Sequence, residues 1–255
     1  MTPHYYQDQF ATIYHGDALA ILPELETWGF SCLLTDPPYS SGGLFRSDRN
    51  RNTRDKYASG DRAAVHPLFA GDNRDQRSYA LWFSLWLGQC ARLCAPGSHA
   101  FVFSDWRQLP TVTDAIQCGG LVWRGLVPWN KTEGSKPQKG WFRAQCEYVV
   151  TASFGSLGAE QERLGPCLAG FYTYNPAQDK HHQTGKPVPL FRFLLSAGGD
   201  GAVLDPFVGS GTTLLAAKLS GRKSVGGELS EEYCEIAAKR LAAAEPELLT
   251  CAEAV

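Results

Sequence analysis

Two short segments of this chain combine residue types that could do chemistry, and each follows an apolar run. The first is Asp205-Pro206-Phe207-Val208-Gly209-Ser210-Gly211-Thr212-Thr213, which comes directly after the apolar residues 202–204. Glycines after a parallel strand let the backbone approach a ligand, and the N-terminus of the next helix offers unpaired N–H groups to an anion. The segment lacks the GK[ST] of a Walker A loop and the GxGxxG spacing. We therefore predict an anion-binding turn of another kind.

The chemistry beside this turn indicates which ligand it could hold. Asp205 suits an ammonium group, so the predicted anion is a carboxylate. A ligand that carries both groups is an amino acid, such as the methionine part of S-adenosylmethionine. Glu228 ends the next predicted strand, 23 residues after Asp205, which is the distance at which an acidic residue meets ribose hydroxyls in nucleotide-binding sheets. An ordinary glycine turn is the alternative for this segment taken alone.

The second segment is Thr35-Asp36-Pro37-Pro38-Tyr39, which ends the apolar run at 29–34. Consecutive prolines fix the turn and leave the carbonyl oxygens of Asp36 and Pro37 without local partners. A carboxylate and a carbonyl make two acceptors for one exocyclic NH2 group, and the ring of Tyr39 offers a face on which a flipped base could stack. Taken alone, the segment is equally compatible with a purely structural turn.

Strands and helices alternate along the chain, and they must position these two segments. Helical periodicity and turn residues predict helices at 18–26, 78–94, 108–118 and 186–197, one after Gly211 and one from Ser230. The helical pattern of 78–94 is defined by the apolar residues Leu81, Leu85 and Trp86. Short apolar runs that end at turn residues predict strands at 11–16, 29–34, 99–105, 121–131, 146–154, 202–207 and 223–229. The alternation predicts an α/β fold with a doubly wound, mostly parallel sheet in a single domain over 1–255.

Composition excludes several classes of protein. The chain has 255 residues, of which 44% are hydrophobic and 20% charged, so neither a disordered nor a fibrous protein is expected. Its N-terminal ten residues lack a basic and an apolar region, which argues against secretion, and no apolar run is long enough to span a membrane. None of the eight cysteines forms a CxxC pair, so we expect reduced thiols in the cytoplasm and no metal.

The charged residues are unevenly distributed along the chain, although the net charge is only −2. Residues 1–36 carry five acids and no Lys or Arg, whereas residues 41–77 carry eight Arg or Lys and five Asp. The segment 40–77 has little periodicity and is far longer than an ordinary loop of about 4–6 residues. We predict that it is a mobile DNA-binding loop, for which a merely solvated loop is the alternative.

Taken together, the motifs resemble those of the amino-methylating DNA methyltransferases, which act on adenine N6 or cytosine N4. The DPPY of residues 36–39 resembles the catalytic motif, and residues 205–213 resemble the cofactor motif, in the order of the beta class. Residues 182–188 resemble the HxTxKP segment of that class, residues 15–19 resemble its opening GDAL, and residues 227–241 resemble its ending. The resemblance covers nearly the whole chain and implies a Rossmann-like methyltransferase sheet that is circularly permuted.

The resemblance also implies roles for individual residues. The target base would be held by the catalytic residues Asp36, Pro37, Pro38 and Tyr39. The cofactor S-adenosylmethionine would be bound by Asp17, Thr184, Lys186, Asp205, Phe207, Gly209, Gly211, Thr212, Thr213 and Glu228. Of these, Thr184 and Lys186 would lie near its methionine end.

The activity implied is site-specific methylation of adenine N6 in duplex DNA, with the target base flipped out. Cytosine N4 is the main alternative, followed by methylation of RNA or a smaller amine and by a catalytically silent nucleic-acid-binding subunit. The sequence leaves open the recognition site, a cognate endonuclease, and whether the chain acts alone or as a homodimer.

DNA contacts are predicted in two segments that mix cations with flat side chains. The loop 40–77 would contribute Arg46, Arg49, Arg51 and Arg54. An inserted target-recognition segment at 130–181 would contribute Lys131, Lys139 and Arg143, and beside them Trp129, Trp141 and Phe142 either contact DNA or pack in the core.

Overall fold

The strands of this protein join in one sheet. The computed structural model describes residues 3–27, 29–40, 74–134, 139–158, 167–175 and 186–246. Successive residues of the sheet's central strands point to opposite faces and are apolar on both, as expected of strands covered on two sides. The strands are β1 (His4–Gln7), β2 (Ala11–His15), β3 (Phe30–Thr35), β4 (Cys94–Ser104), β5 (Val122–Asn130), β6 (Cys146–Ser153), β7 (Tyr172–Thr173), β8 (Val203–Asp205) and β9 (Ser224–Glu228).

In the described part of the chain, every α-helix except Thr212–Leu219 begins where the sequence supplies a capping side chain or a proline. The side chains of Asp17, Asp75 and Ser230 each accept a hydrogen bond from a backbone N–H in the first turn of their helices. The helices are α1 (Ala18–Ile21), followed by a 3₁₀ turn (Leu22–Glu24), α2 (Gln76–Leu93), α3 (Leu109–Cys118), α4 (Val188–Ala197), α5 (Thr212–Leu219) and α6 (Glu231–Ala242).

The order of the strands is β1-β2-β9-β8-β3-β4-β6-β5-β7. From β2 to β4 all neighbours are parallel, whereas β1 and β6 run antiparallel to the strands beside them. The chain leaves β3 toward β4 on one side and leaves β8 toward β9 on the other. The boundary between β3 and β8 is therefore a switch point, where open α/β sheets bind ligands beyond the carboxyl ends of their strands. The predicted doubly wound, mostly parallel sheet is confirmed.

Two helices cover opposite faces of the central strands. Helix α2 packs against Leu33 and Val102 on one face, and α4 packs against Leu34 and Phe103 on the other. Of the three apolar residues that define the predicted helical pattern of α2, Trp86 is buried, whereas Leu81 and Leu85 are 63% and 51% exposed. The buried face of α2 is instead aromatic and includes Tyr79, Trp82, Phe83 and Trp86.

Several predicted boundaries need correction. Helix α2 begins at Gln76, so the loop predicted at 40–77 ends before it. The recognition segment predicted at 130–181 contains β6 and β7 and is thus partly an element of the sheet. Strand β1 was not predicted. Residues 41–73, with Arg46, Arg49, Arg51 and Arg54, lie outside the described residues.

Metal ligands and membrane spans were searched for in the part of the chain that the structure describes. It contains no group of three or more His, Cys, Asp or Glu side chains that could hold a metal ion. None of its helices is both long enough and apolar enough to cross a membrane. Its cysteines are unpaired, and Cys32, Cys90, Cys94 and Cys234 are buried.

Candidate active site

The two chemical segments meet at the switch point. Strand β3 pairs with β8 in parallel, with Cys32 opposite Val203 and Leu33 opposite Leu204. Because both strands end at the same edge of the sheet, the turns that follow them are neighbours. The Thr35 hydroxyl donates a hydrogen bond of 2.6 Å to Asp205 Oδ1 and so links the two motifs directly.

Asp205 is a buried carboxyl group at the end of β8, with only 1% of its surface exposed. Its Oδ1 also accepts a hydrogen bond of 3.0 Å from the backbone N–H of Phe207. Burial raises the pKa of Asp205 to about 6, although hydrogen bonds from Thr213 and Thr35 oppose that shift. Near neutral pH this carboxylate is therefore costly to keep ionised, and a cation beside it would lower that cost.

The turn after β8 depends on its glycines. Gly211 has φ +86°, and a Cβ added there would lie 2.8 Å from the Cβ of Ala237 on α6. Gly209 has φ +52°, and a Cβ on it would meet no atom of the described residues within 4 Å, so the turn faces no described part of the protein there. The N–H of Gly209 donates to Glu228 Oε2 at 2.7 Å, and the N–H of Ser230 donates to Oε1 at 2.8 Å. These bonds hold Glu228 beside the turn, and burial raises its pKa.

The remaining cofactor residues lie around this turn or pack beneath it. His15 pairs with Glu228 across β2 and β9, so Asp17, which caps α1, follows the neighbouring strand end. The Phe207 ring lies 5.4 Å from Trp82 and 5.1 Å from Trp86 between ring centroids. The structure thus brings the predicted cofactor residues together except two. Thr184 lies outside the described residues, and Lys186 contacts the DPPY turn instead of the glycine turn.

The DPPY turn presents acceptors at the end of β3. The hydroxyl of Tyr79 donates to the Pro38 carbonyl at 3.1 Å and fixes the turn on α2. Among the described residues, no hydrogen bond uses the carbonyl oxygens of Asp36 or Pro37, as predicted. Asp36 Oδ1 accepts a hydrogen bond of 2.6 Å from the Tyr39 hydroxyl. Burial, followed by the charges of Asp36 and Glu147, raises the pKa of Tyr39, so the hydroxyl stays protonated.

Lys186, which precedes α4, contacts the catalytic motif rather than the glycine turn. Its Nζ lies 2.5 Å from Asp36 Oδ2 and 2.7 Å from the Tyr39 hydroxyl oxygen. Burial alone would lower the pKa of Lys186, but the charges of Asp36 and Glu147 outweigh it and raise that pKa. The resemblance implied that Lys186 lies near the methionine end of the cofactor, and that role stays a prediction. In the structure its ammonium contacts Asp36.

Two residues complete a charged cluster that the sequence did not assign to the site. Glu147, on β6, binds Lys131 through Oε1 at 2.9 Å and Lys186 through Oε2 at 3.2 Å. Burial would raise the pKa of Glu147, but these two lysines lower it to about 2. Lys131, predicted to contact DNA, is therefore paired with a carboxylate of the protein while 21% of its side chain remains exposed. The available signal for Glu147 was a single acid within the apolar run 146–154, because buried charges are normally paired.

Replacing Glu147 with Gln should destabilise the protein in a pH-dependent way. Because the folded pKa of about 2 lies below the ordinary 4.5, the carboxylate contributes stability above pH 4.5 and loses it as the pH falls toward 2. We expect Glu147→Gln to lower the free energy of unfolding at pH 7 by on the order of 2–3 kcal/mol, with the difference shrinking below pH 4. Urea unfolding at several pH values measures this.

Glu235→Gln serves as the matched control, because Glu235 forms an exposed ion pair with Lys239. Its loss should be worth less than about 1 kcal/mol. A loss of stability in Glu147→Gln that is the same at pH 3 and pH 7 would contradict the ionic role of Glu147.

The other predicted DNA residues lie between β5 and β6. Lys139 is exposed, and the Arg143 guanidinium donates to the backbone carbonyl of Glu133. Trp141 and Phe142 are 75% and 81% exposed, with ring centroids 5.6 Å apart. Trp129 is buried and donates to the carbonyl of Tyr174, so it is a core residue. Two aromatic side chains thus remain available to a ligand in this segment.

Known proteins resemble this chain in sequence and in fold. Residues 160–239 match the family model for N6 and N4 methyltransferases, which is described as "DNA methylase". The protein named "Putative methylase YubD" of Escherichia coli (strain K12) is 28% identical over 90% of this chain and 89% of its own length. The type II methyltransferase M2.LlaDCHI of Lactococcus lactis subsp. cremoris is 24% identical over 94% of this chain and 93% of its own length.

Solved structures share the fold at low sequence identity. M1.HpyAVI, described as a complex with SAM, superposes with a TM-score of 0.63 and 23% identity over 91% of this chain and 98% of its own. The PvuII DNA methyltransferase, described as cytosine-N4-specific, gives a TM-score of 0.66 and 18% identity over 92% of this chain and 87% of its own. The comparisons confirm the resemblance to amino-methylating DNA methyltransferases, and they do not distinguish the N6 type from the N4 type.

Proposed function

We propose that the chain transfers a methyl group from S-adenosylmethionine to the N6 amino group of adenine in duplex DNA, with the target base flipped out of the helix. The observation that carries this proposal is the hydrogen bond between Thr35 and Asp205. It joins a turn with acceptors for an amino group to a turn suited to a methyl donor. The DPPY form of the first turn favours adenine.

The residues around the glycine turn suit S-adenosylmethionine. No described residue fills the space in front of Gly209, which leaves room for a ligand there, and the N-terminal N–H groups of α5 suit its carboxylate. The buried Asp205 carboxyl suits its ammonium group, and Glu228 and Asp17 supply acceptors for the ribose and the adenine. When bound, this cofactor supplies a methyl group on a positively charged sulfur.

The DPPY turn would activate the attacking nitrogen. The exocyclic amino group is a poor nucleophile because its lone pair is delocalised into the ring. Hydrogen bonds from the amino group to Asp36 and to the Pro37 carbonyl favour a pyramidal nitrogen with a localised lone pair. A bond then forms between that nitrogen and the methyl carbon as the carbon–sulfur bond breaks, and the sulfur keeps the electron pair. Asp36 stabilises the positive charge on the nitrogen until it releases a proton to solvent, so positioning and electrostatics supply most of the catalysis.

Methylation of cytosine N4 is the second candidate, and one observation favours it. The PvuII enzyme, described as cytosine-N4-specific, shares the fold over 92% of this chain. Cytosine also carries an exocyclic amino group on its ring, which the same two acceptors could hold. The identity of the methylated nucleoside decides between the two bases.

Transfer of tritium from labelled S-adenosylmethionine to unmethylated genomic DNA tests the proposal. We expect label in duplex DNA and none in RNA or in small amines. Label in RNA alone would contradict the proposed substrate.

A homodimer stays a prediction for this chain. Gel filtration with light scattering would establish whether the chain is monomeric or dimeric.

Trp141 and Lys139 should make different kinds of contact with DNA. Because Trp141 is 75% exposed and flat, we expect Trp141→Ala to weaken DNA binding by about 1–3 kcal/mol while leaving the salt dependence unchanged. Lys139→Ala should reduce the slope of log K against log salt by about 0.9 if it removes one phosphate contact. Fluorescence anisotropy with a duplex at four salt concentrations measures both. Parent-like affinity and slope in both variants would exclude this segment from the DNA interface.

A further inference from the structure

Four charged or hydroxyl groups form a closed ring at the catalytic turn. Each carboxylate oxygen of Asp36 already has one donor, the Tyr39 hydroxyl on Oδ1 at 2.6 Å and Lys186 Nζ on Oδ2 at 2.5 Å. Both donors also lie 3.2 Å from Glu147 Oε2. Lys131 holds the other oxygen of Glu147 at 2.9 Å. Glu147 therefore touches both groups that orient the Asp36 carboxylate without contacting Asp36 itself.

The hydrogen-bond capacities of these groups are matched. A lysine ammonium has three donors, and Lys186 directs them to Asp36, Tyr39 and Glu147. The Tyr39 hydroxyl accepts one bond from Lys186 and has one proton to give to a carboxylate. An ionised carboxylate offers about four lone-pair sites, and donors from the described residues use two of those on Asp36, which leaves about two for an incoming amino group. The ring thus fixes the carboxylate and leaves acceptor sites free.

We propose that Glu147 is a positioning residue for methyl transfer, which acts through Lys186 and Tyr39 to hold the Asp36 carboxylate toward the target amino group. This inference rests on the proposed function. Strand β6 makes the arrangement possible because it runs antiparallel to β4, with Tyr148 opposite Ser104. The beginning of β6 therefore lies at the edge of the sheet where β3, β4 and β8 end.

Charge balance gives Glu147 a second effect. Among the described residues, the groups near Asp36 are Lys186 before α4, Tyr39 on its own turn, Glu147 on β6 with Lys131 behind it, and Asp205 at the end of β8. Methyl transfer moves positive charge onto a nitrogen beside Asp36, and the nearby ammonium of Lys186 opposes that movement. Glu147 shields this ammonium, so removing its charge should slow the transfer even where the fold is intact.

Single-turnover methyl transfer on duplex DNA, measured from pH 5 to pH 9 with saturating S-adenosylmethionine, tests this role. Glu147→Gln keeps the shape of the side chain and removes its charge. We expect its plateau rate to fall at least tenfold, while the dissociation constant of the cofactor changes by less than threefold. Glu147→Gln removes a negative charge near Asp36, so the low-pH side of the rate profile, its acid limb, should move to lower pH. Lys186→Met removes a positive charge, so the same side of its profile should move to higher pH.

Lys239→Met is the control, because this exposed lysine on α6 pairs only with Glu235 among the described residues, and its rate and profile should stay within twofold. Opposite movement of the two acid limbs is the signature of an electrostatic role, since a merely structural defect would move both profiles alike. A parent-like rate in Glu147→Gln, limbs that move in the same direction, or a cofactor affinity that falls with the rate would overturn the proposal.

A parent protein that methylates no nucleic acid would refute the proposed function and not the ring itself. The ring is then tested by urea unfolding of Glu147→Gln, Lys186→Met and the double variant at pH 7. We expect the changes in the unfolding constant to be non-additive by at least fivefold. Additive changes would overturn the ring.

Discussion

Replacing Asp36 with Ala should abolish methyl transfer while leaving the cofactor bound. The change removes the carboxylate that would accept the target amino group and stabilise the charge that develops on its nitrogen. Loss of one such preorganised electrostatic partner costs about 10²–10³-fold in rate, and we expect at least that loss here. Because Asp36 contacts Lys186 and Tyr39 and not the glycine turn, cofactor affinity should stay within about tenfold, or ~1.4 kcal/mol.

Calorimetry with S-adenosylmethionine and a single-turnover assay on DNA separate the two effects of Asp36→Ala. Asp114→Ala, at an exposed position on α3, provides an aspartate-to-alanine control outside the DPPY turn and should retain parent activity. Cofactor affinity that collapses together with activity would show that Asp36 belongs to the cofactor site and not to the base site.

Replacing Asp205 with Asn should weaken cofactor binding and at the same time stabilise the free protein. The folded pKa of about 6 lies above the ordinary 3.8, so the protonated form contributes stability below pH 3.8 that is lost as the pH rises through 6. At pH 7 the ionised, buried carboxylate therefore lowers the free energy of unfolding, and a neutral amide at the same position would not. The Asn oxygen could still accept the bonds from Thr35 and Phe207. We expect a gain on the order of 1–3 kcal/mol at pH 7 and none at pH 3.5.

The cofactor affinity of this variant should change in the opposite sense. Loss of a charged acceptor for the ammonium group costs about 1.5–3 kcal/mol in binding. In the parent, affinity should decline as the pH falls below about 6, and this decline should be absent in Asp205→Asn. Thermal unfolding and calorimetry across pH 5–8 measure both effects, with Glu228→Ala as a second cofactor-site variant. Parent-like binding by Asp205→Asn or Glu228→Ala would mean that the segment 205–228 is not a cofactor cradle.

Residues that act through local turns could be predicted from the sequence. Asp205, Gly209 and Gly211 lie within one strand–turn–helix unit, and Asp36 and Tyr39 lie within one turn, so short-range patterns suffice to find them. That the two units lie side by side follows from alternating strands and helices, because such chains form parallel sheets whose carboxyl ends share one edge. These local signals therefore located most of the candidate site.

The charged ring could not be predicted, because it depends on strand pairing. Glu147 reaches Tyr39 only because β6 inserts antiparallel between β4 and β5, a position that no local pattern specifies. Lys131 was assigned to DNA because its segment mixes cations with flat side chains. The structure pairs it with Glu147, and its contact with DNA stays a prediction. The exposure of Leu81 and Leu85 on α2 could not be judged from the sequence either. Apolar residues occur around much of that helix, and packing against the sheet determines which of them are buried.

The most direct test of the proposed function is the identity of the methylated nucleoside. The protein is incubated with S-adenosylmethionine and unmethylated duplex DNA, the DNA is digested to nucleosides, and the products are separated by mass spectrometry beside those from Asp36→Ala. We predict N6-methyladenine from the parent protein and none from the variant. N4-methylcytosine would preserve the site and change its base, whereas 5-methylcytosine, or no methylated nucleoside from a protein that binds the cofactor, would contradict the account.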